Sequence, residues 1–170
     1  MNILILMAGQ GTRLKDYYNE PKPFIKVNGL RIIEWVIINT NLNCNNIFGA
    51  QKKAAETYDL QSIIEKYTNK YNIIYLDEKT EGAASTALKA KDNINNEEEL
   101  IIINSDQYLE CDLSNCISEF RKKNVDGGIL TVQKNNDPKW SYVKTNELGY
   151  ATEVAEKKPI STNATVGVYY

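Results

Sequence analysis

Ile3-Leu4-Ile5-Leu6-Met7 runs without a polar side chain into Ala8-Gly9-Gln10-Gly11-Thr12-Arg13-Leu14. A short apolar run that stops at glycines reads as a strand buried on both faces, which places it in a parallel sheet covered by helices. Working outward, residues 100–103 repeat the bare apolar run, and 47–49 and 71–76 read as further strands. Between them, 31–40 carries Ile32, Ile33, Trp35, Val36, Ile37 and Ile38, a helix buried on much of its circumference and entered through the turn residues Asn28-Gly29. Segments 60–67 and 83–90 supply two more helices. Alternating strands and helices predict an α/β fold with a doubly wound, mostly parallel Rossmann-like sheet. The last third differs: 128–133, 141–144, 150–155 and 164–170 read mostly as strands, with Asn146-Glu147-Leu148-Gly149 as a turn. A more β-rich C-terminal third, an insertion or a mixed edge of the sheet, is expected.

The chain has 170 residues, enough for one domain that buries roughly 70% of its unfolded surface. Residues 1–170 therefore read as a single domain. The last strand-like segment has nothing after it to turn or cap it, and the sequence is expected to be part of a longer protein. Twenty Lys and Arg against 22 Asp and Glu give a net charge of -2, without a basic block, which disfavours nucleic acid and anionic membranes as partners. Cys44, Cys111 and Cys116 show no C-x-x-C spacing, so neither a disulfide framework nor a zinc site is expected, and a cytoplasmic location fits. The complete absence of histidine removes Ser-His and Cys-His catalysis. Chemistry must run on carboxylates, Lys, Arg and backbone amides, with or without a hard cation.

The loop after the first strand sits where open α/β sheets bind ligands. Gly9 and Gly11 let backbone amides approach an anion, Thr12 adds a hydroxyl donor, and Arg13 offers a fork of donors to phosphate oxygens. By spacing alone, a tight strand-to-helix turn with a solvated Arg13 fits equally well. The dinucleotide fingerprint fails at Leu14, and Walker A fails for want of G-K-[ST].

Met7-Ala8-Gly9-Gln10-Gly11-Thr12-Arg13-Leu14 followed by Glu20-Pro21-Lys22-Pro23-Phe24 resembles the G-x-G-T-R-[LM]...P-K signature of the sugar-phosphate nucleotidyltransferases, the NDP-sugar pyrophosphorylase-like family. Glu81-Gly82-Ala83-Ala84, Ile103-Asn104-Ser105-Asp106-Gln107, Trp140-Ser141-Tyr142-Val143, Glu156-Lys157 and Val166-Gly167-Val168-Tyr169 follow in the family's order. The resemblance implies a nucleotidyltransferase that joins a nucleoside triphosphate to a phosphorylated small metabolite, a sugar 1-phosphate first among them, with release of pyrophosphate and Mg2+ as cofactor. It implies that Ala8, Gly9, Gly11, Thr12 and Arg13 hold the triphosphate and that Lys22 neutralises phosphate charge as pyrophosphate departs. Arg13 and Lys22 would thus be catalytic. Gly82 would leave room beside the nucleobase, Asp106 would bind the metal, and Lys157 would grip the acceptor phosphate. Many relatives have Gly-Asp where this chain has Ser105-Asp106, and relatives supply a second metal-binding carboxylate from beyond the part present here.

Nucleotidyl transfer requires positioning and charge neutralisation more than proton removal, and a phosphate monoester, with a second pKa of about 6, is already ionised at neutral pH. An enzyme without histidine can do this. Glu156-Lys157-Lys158-Pro159 contains an extra lysine, so the acceptor role lies between Lys157 and Lys158. Strand alternation would put Thr152, Val154 and Glu156 on one face and Glu153, Ala155 and Lys157 on the other, turning Lys157 to the crevice and Lys158 to solvent. Trp140 and Tyr142 read as packing residues. Two other readings stand beside the sugar nucleotidyltransferase: a catalytically silent nucleotide-binding or regulatory module of the same type, and a cytidylyltransferase for a non-sugar phosphate. Homo-oligomers are left open.

Overall fold

The computed structural model describes residues 1–9, 17–134 and 137–170. Four parallel strands form the first half of the sheet, in the spatial order β5 (Tyr71–Leu76), β4 (Asn45–Gln51), β1 (Asn2–Met7), β6 (Leu100–Asn104). Ile5 of β1 lies between Phe48 and Ile103, and all six residues of β1 are buried. Its alternation feeds two cores. Ile3, Ile5 and Met7 pack with α1 (Ile32–Thr40), α2 (Lys52–Thr57), α3 (Leu60–Glu65) and α6 (Leu113–Lys122), whereas Leu4 and Leu6 pack with Ala87, Ala90 and Ile94 around α4 (Ala83–Lys89) and α5 (Lys91–Ile94). Helices on both faces make the sheet doubly wound, as the unbroken apolar runs predict. Each fully buried Ile or Leu contributes roughly 1.5–3 kcal/mol.

The second half is antiparallel. β10 (Asn163–Tyr169) joins β6 through Val168 opposite Ile103, and β7 (Ile129–Gln133), β8 (Tyr142–Thr145) and β9 (Ala151–Ala155) complete the β-rich third. Ala164 has Val132 on one side and Tyr142 on the other, while Tyr169 has Ile129 and Ile102. β7 therefore follows one edge of β10, and β8 and β6 succeed each other along the opposite edge. The ladder with β7 shifts register between Thr165 and Tyr169, and Gly167 inside that bulge has φ +69. A Cβ at Gly167 would lie 2.2 Å from the side-chain Nδ2 of Asn104, so the bulge seats the end of β6 against β10.

Four features go beyond the expected elements. Asn28 and Gly29, both at positive φ, close a tight hairpin between β2 (Lys26–Val27) and β3 (Leu30–Arg31). α2, α5 and α6 were not expected. α6 starts at Asp112, whose carboxylate accepts from the Ser114 amide at 2.8 Å, and buries Leu113 and Ile117. Among the described residues no helix is long and apolar enough to cross a membrane.

Candidate active site

Parallel strands deliver their loops to one edge, and Ala8, Gly9, Lys22, Gly82 and Asp106 lie along it. Ala8 and Gly9 leave β1. Ala8 is buried and its carbonyl accepts from the side-chain amide of Gln51, at the end of β4, at 3.1 Å. Gly9 is exposed, and a Cβ there would meet no atom of the described residues within 4 Å. Gly11, Thr12 and Arg13 lie outside the described residues.

Lys22 sits on a 3-10 turn, Lys22–Phe24, preceded by Pro21. Pro23 and Phe24 are buried, and the Phe24 ring stacks on Tyr58 at 4.6 Å, so the turn is anchored by its apolar side chains. The Ile32 amide donates to the Ile25 carbonyl at 2.9 Å and ties the turn to the start of α1. Glu34 fixes that start. It is 4% exposed, accepts from the Arg31 amide and the Tyr67 hydroxyl at 2.9 Å each, and faces Lys66 and the Arg31 guanidinium. Burial alone would raise its pKa, but these donors and charges together hold it below the ordinary carboxylate value.

Asp106 emerges just past β6, where the Ser105 amide still bonds to the Leu6 carbonyl at 3.3 Å. Its carboxylate accepts from the Lys22 ammonium, and the two side chains are 26% and 35% exposed. Two residues that the sequence reading missed hold this loop. Asn39 of α1 bonds reciprocally to Leu109, donating to its carbonyl at 2.9 Å and accepting from its amide at 2.7 Å. Trp35 donates its indole N–H to the Val27 carbonyl at 2.8 Å and meets Tyr108 edge-on at 6.1 Å. Trp35, Val27, Ile32 and Tyr108 line an open cleft of about 420 Å³ that ends at Asp106. Nothing in the periodicity of α1 marks Asn39 or Trp35 for this work; both read as ordinary members of a buried helix.

Gly82 precedes α4, on the opposite face of the sheet from α1 but at the same edge, because it follows the carboxyl end of β5. Its backbone is extended and its carbonyl accepts from both the amide and the hydroxyl of Thr86. A Cβ at Gly82 would meet no atom of the described residues within 4 Å, so their packing does not itself demand glycine there.

Lys157 reaches the same edge by register. Ala155 lies beside Tyr142, Tyr142 beside Ala164, and Ala164 precedes on β10 the residues that pair with the end of β6. The expected alternation fails here, since β9 ends at Ala155 and Lys157 has φ +52. Glu156 and Lys157 are thus not on opposite faces: the Lys157 ammonium lies 2.8 Å from the Glu156 carboxylate, and that pairing lowers the Glu156 pKa. Lys157 and Lys158 are both exposed. Tyr142 is fully buried, with its hydroxyl bonded to the Asp137 backbone, and Trp140 carries the Lys134 ammonium over its ring at 5.6 Å, as expected of packing residues.

Among the described residues no group of three or more carboxylates or thiols could cage a metal. A single carboxylate at a strand end still fits Mg2+, which is commonly carried by one or two carboxylates together with substrate phosphates. The Asp106 carboxylate is 26% exposed and already carries the Lys22 ammonium.

Fold and edge together define an α/β domain in which the Lys22 ammonium and the Asp106 carboxylate meet just past the carboxyl end of β6. The chain belongs to the nucleotidyl transferase family, whose model matches residues 2–170. It is 28% identical over 174 residues to the bifunctional protein GlmU of Methanococcus aeolicus and 28% identical over 173 residues to that of Methanocaldococcus jannaschii; each match covers 99% of this chain and 39% of the relative. The chain thus spans about two fifths of the length of these curated relatives. Similar solved structures include a nucleoside-diphosphate-sugar pyrophosphorylase from Vibrio cholerae, with TM-score 0.75, 19% identity and coverage of 99% and 72% of the two chains. A UDP-glucose pyrophosphorylase complexed with UDP-glucose superposes with TM-score 0.76 at 17% identity, covering 99% and 74%. At such identities the likeness is one of fold.

Proposed function

We propose that this chain is the catalytic domain of a cytoplasmic nucleotidyltransferase that couples a nucleoside triphosphate to a sugar 1-phosphate and releases pyrophosphate, in the supply of precursors for polysaccharide or surface glycan. The observation that carries this reading is the meeting of Lys22 and Asp106 just past the carboxyl end of β6. A cation and a carboxylate at that edge suit a reaction whose difficulty is charge.

In this reading an oxygen of the acceptor phosphate attacks the α-phosphorus, and the bond to the β-phosphate breaks. The negative charge leaves on pyrophosphate. Ala8, Gly9, Gly11, Thr12 and Arg13 hold the triphosphate, Lys22 stabilises the departing charge, Lys157 positions the acceptor phosphate, and the bare Gly82 leaves space for the base. Asp106 holds Mg2+, which when bound would neutralise phosphate oxygens. No side chain has to remove a proton, because the acceptor is already ionised.

The test is to incubate the full-length protein with Mg2+, each nucleoside triphosphate in turn and a panel of sugar 1-phosphates and non-sugar phosphates, while pyrophosphate release is followed. Release that requires both substrates is expected with a sugar 1-phosphate. Nucleotide binding without release for any acceptor would establish a silent module instead.

A further inference from the structure

Cys111 and Cys116 take no part in the chemistry above, and they are placed together. Asp112 is the N-cap of α6, so Cys111 precedes the cap and Cys116 lies on the first turn, the two positions that an apolar pair often brackets at a helix start. Their sulfurs are 3.9 Å apart. Cys111 is exposed and Cys116 is partly exposed, packed at the margin of the main core. The third thiol, Cys44, is buried, and its sulfur lies against the Leu42 carbonyl. A disulfide needs sulfurs about 2.05 Å apart, so the pair must close from 3.9 Å by side-chain rotation at the helix start.

We propose that Cys111 and Cys116 form a reversible intramolecular disulfide, a redox modification site at the start of α6 that is oxidised by a low-molecular-weight disulfide such as oxidised glutathione. One cysteine thiolate attacks a sulfur of oxidised glutathione, forming a mixed disulfide and releasing one glutathione thiolate. The second cysteine, as thiolate, attacks the protein sulfur of that mixed disulfide and expels the second glutathione. The protein loses two protons and two electrons, and the oxidant becomes two reduced glutathione molecules. Proximity makes the second step intramolecular and keeps the mixed disulfide from accumulating. Burial and the neighbouring thiol raise the Cys111 pKa, so the reaction quickens as pH rises. The bond would pin the end of the loop that begins at Asp106 and is already held midway by Asn39 at Leu109.

The full chain is incubated with excess oxidised glutathione, denatured, alkylated and mapped by mass spectrometry. Before alkylation the expected product is two hydrogens lighter than the reduced chain; after it, mapping should show a Cys111–Cys116 linked peptide, no retained glutathione and Cys44 alkylated, with full reversal when the oxidised chain is treated with reduced glutathione. Cys116→Ser is expected instead to retain one glutathione on Cys111. Free thiols at both positions in the treated wild type, a stable glutathione adduct there, or a disulfide-linked dimer would each overturn the proposal.

Discussion

The Lys22 ammonium bonds to the Asp106 carboxylate although the two lie 84 positions apart in the sequence. In the proposed reading the ammonium and Mg2+ would compete for this carboxylate. Lys22→Gln is expected to lower turnover by about 10²–10³-fold, the usual loss when one transition-state charge partner is removed. Calorimetry with Mg2+ and no nucleotide should at the same time show tighter metal binding than wild type, because Asp106 has lost its competitor. Wild-type turnover with unchanged metal affinity would separate this pair from the chemistry.

Asp106→Asn removes the carboxylate and leaves the Asn39–Leu109 clamp and the Trp35–Tyr108 contact in place. The Mg2+ concentration needed for half-maximal rate should rise by about tenfold or more, a loss of roughly 1.4 kcal/mol. Far-UV circular dichroism should not change. Unaltered metal dependence would take Asp106 out of the metal site.

Lys157→Ala should raise the acceptor KM by about 10–100-fold, the size of one charge-assisted hydrogen bond, with little effect on the KM for the triphosphate. Lys158→Ala should alter neither. The opposite result would transfer the role to Lys158.

Gly167 carries two separable demands, its left-handed φ and the side chain of Asn104 against it. Gly167→Ala should destabilise the fold by at least about 1–2 kcal/mol from the backbone term alone, read as the urea midpoint. Adding Asn104→Ala should restore the steric part and leave the backbone part. A double variant as stable as Asn104→Ala alone would show that φ at this position costs nothing.

Arg121 first, and Tyr170 with it, hold the Glu99 carboxyl at a pKa of about 2, against an ordinary value of 4.5. A lowered folded-state pKa means that the stabilisation is fully present above 4.5 and is lost as pH falls from there toward about 2. Both partners are partly exposed, so the effect is modest. The Tm difference between wild type and Glu99→Gln should be constant above that window and shrink inside it. A difference that widens on acidification would contradict the assignment.

The parallel half of the fold was legible because β1 is buried on both faces and β6 at least half-buried on both, so residues 3–7 and 100–103 are bare apolar runs. α6 was not, although Asp112 supplies a cap and Leu113, Ile117 and Phe120 an apolar stripe. Ser114, Asn115, Cys116 and Ser118 are indifferent helix formers and mask that stripe. Lys22 and Asp106 were singled out through the family signature, but their contact was not, because it depends on how two loops distant in sequence converge. The alternation read across Glu156 and Lys157 did not hold, because alternation continues only while a strand does. A lysine at positive φ gives no local warning that the strand has ended.

The way β10 is shared has a consequence for the order in which the molecule is made. β10 is synthesised after every other strand described, yet it alone joins the carboxylate-bearing half of the sheet to the hairpin that carries Lys157. Until it arrives, one edge of β6 offers unpaired amides and carbonyls, and Lys157 has no fixed position relative to Asp106. Such late, non-local closure is slow and leaves β6 open to wrong partners during translation. Slowing the ribosome before β10 should therefore harm yield more than slowing it before β4.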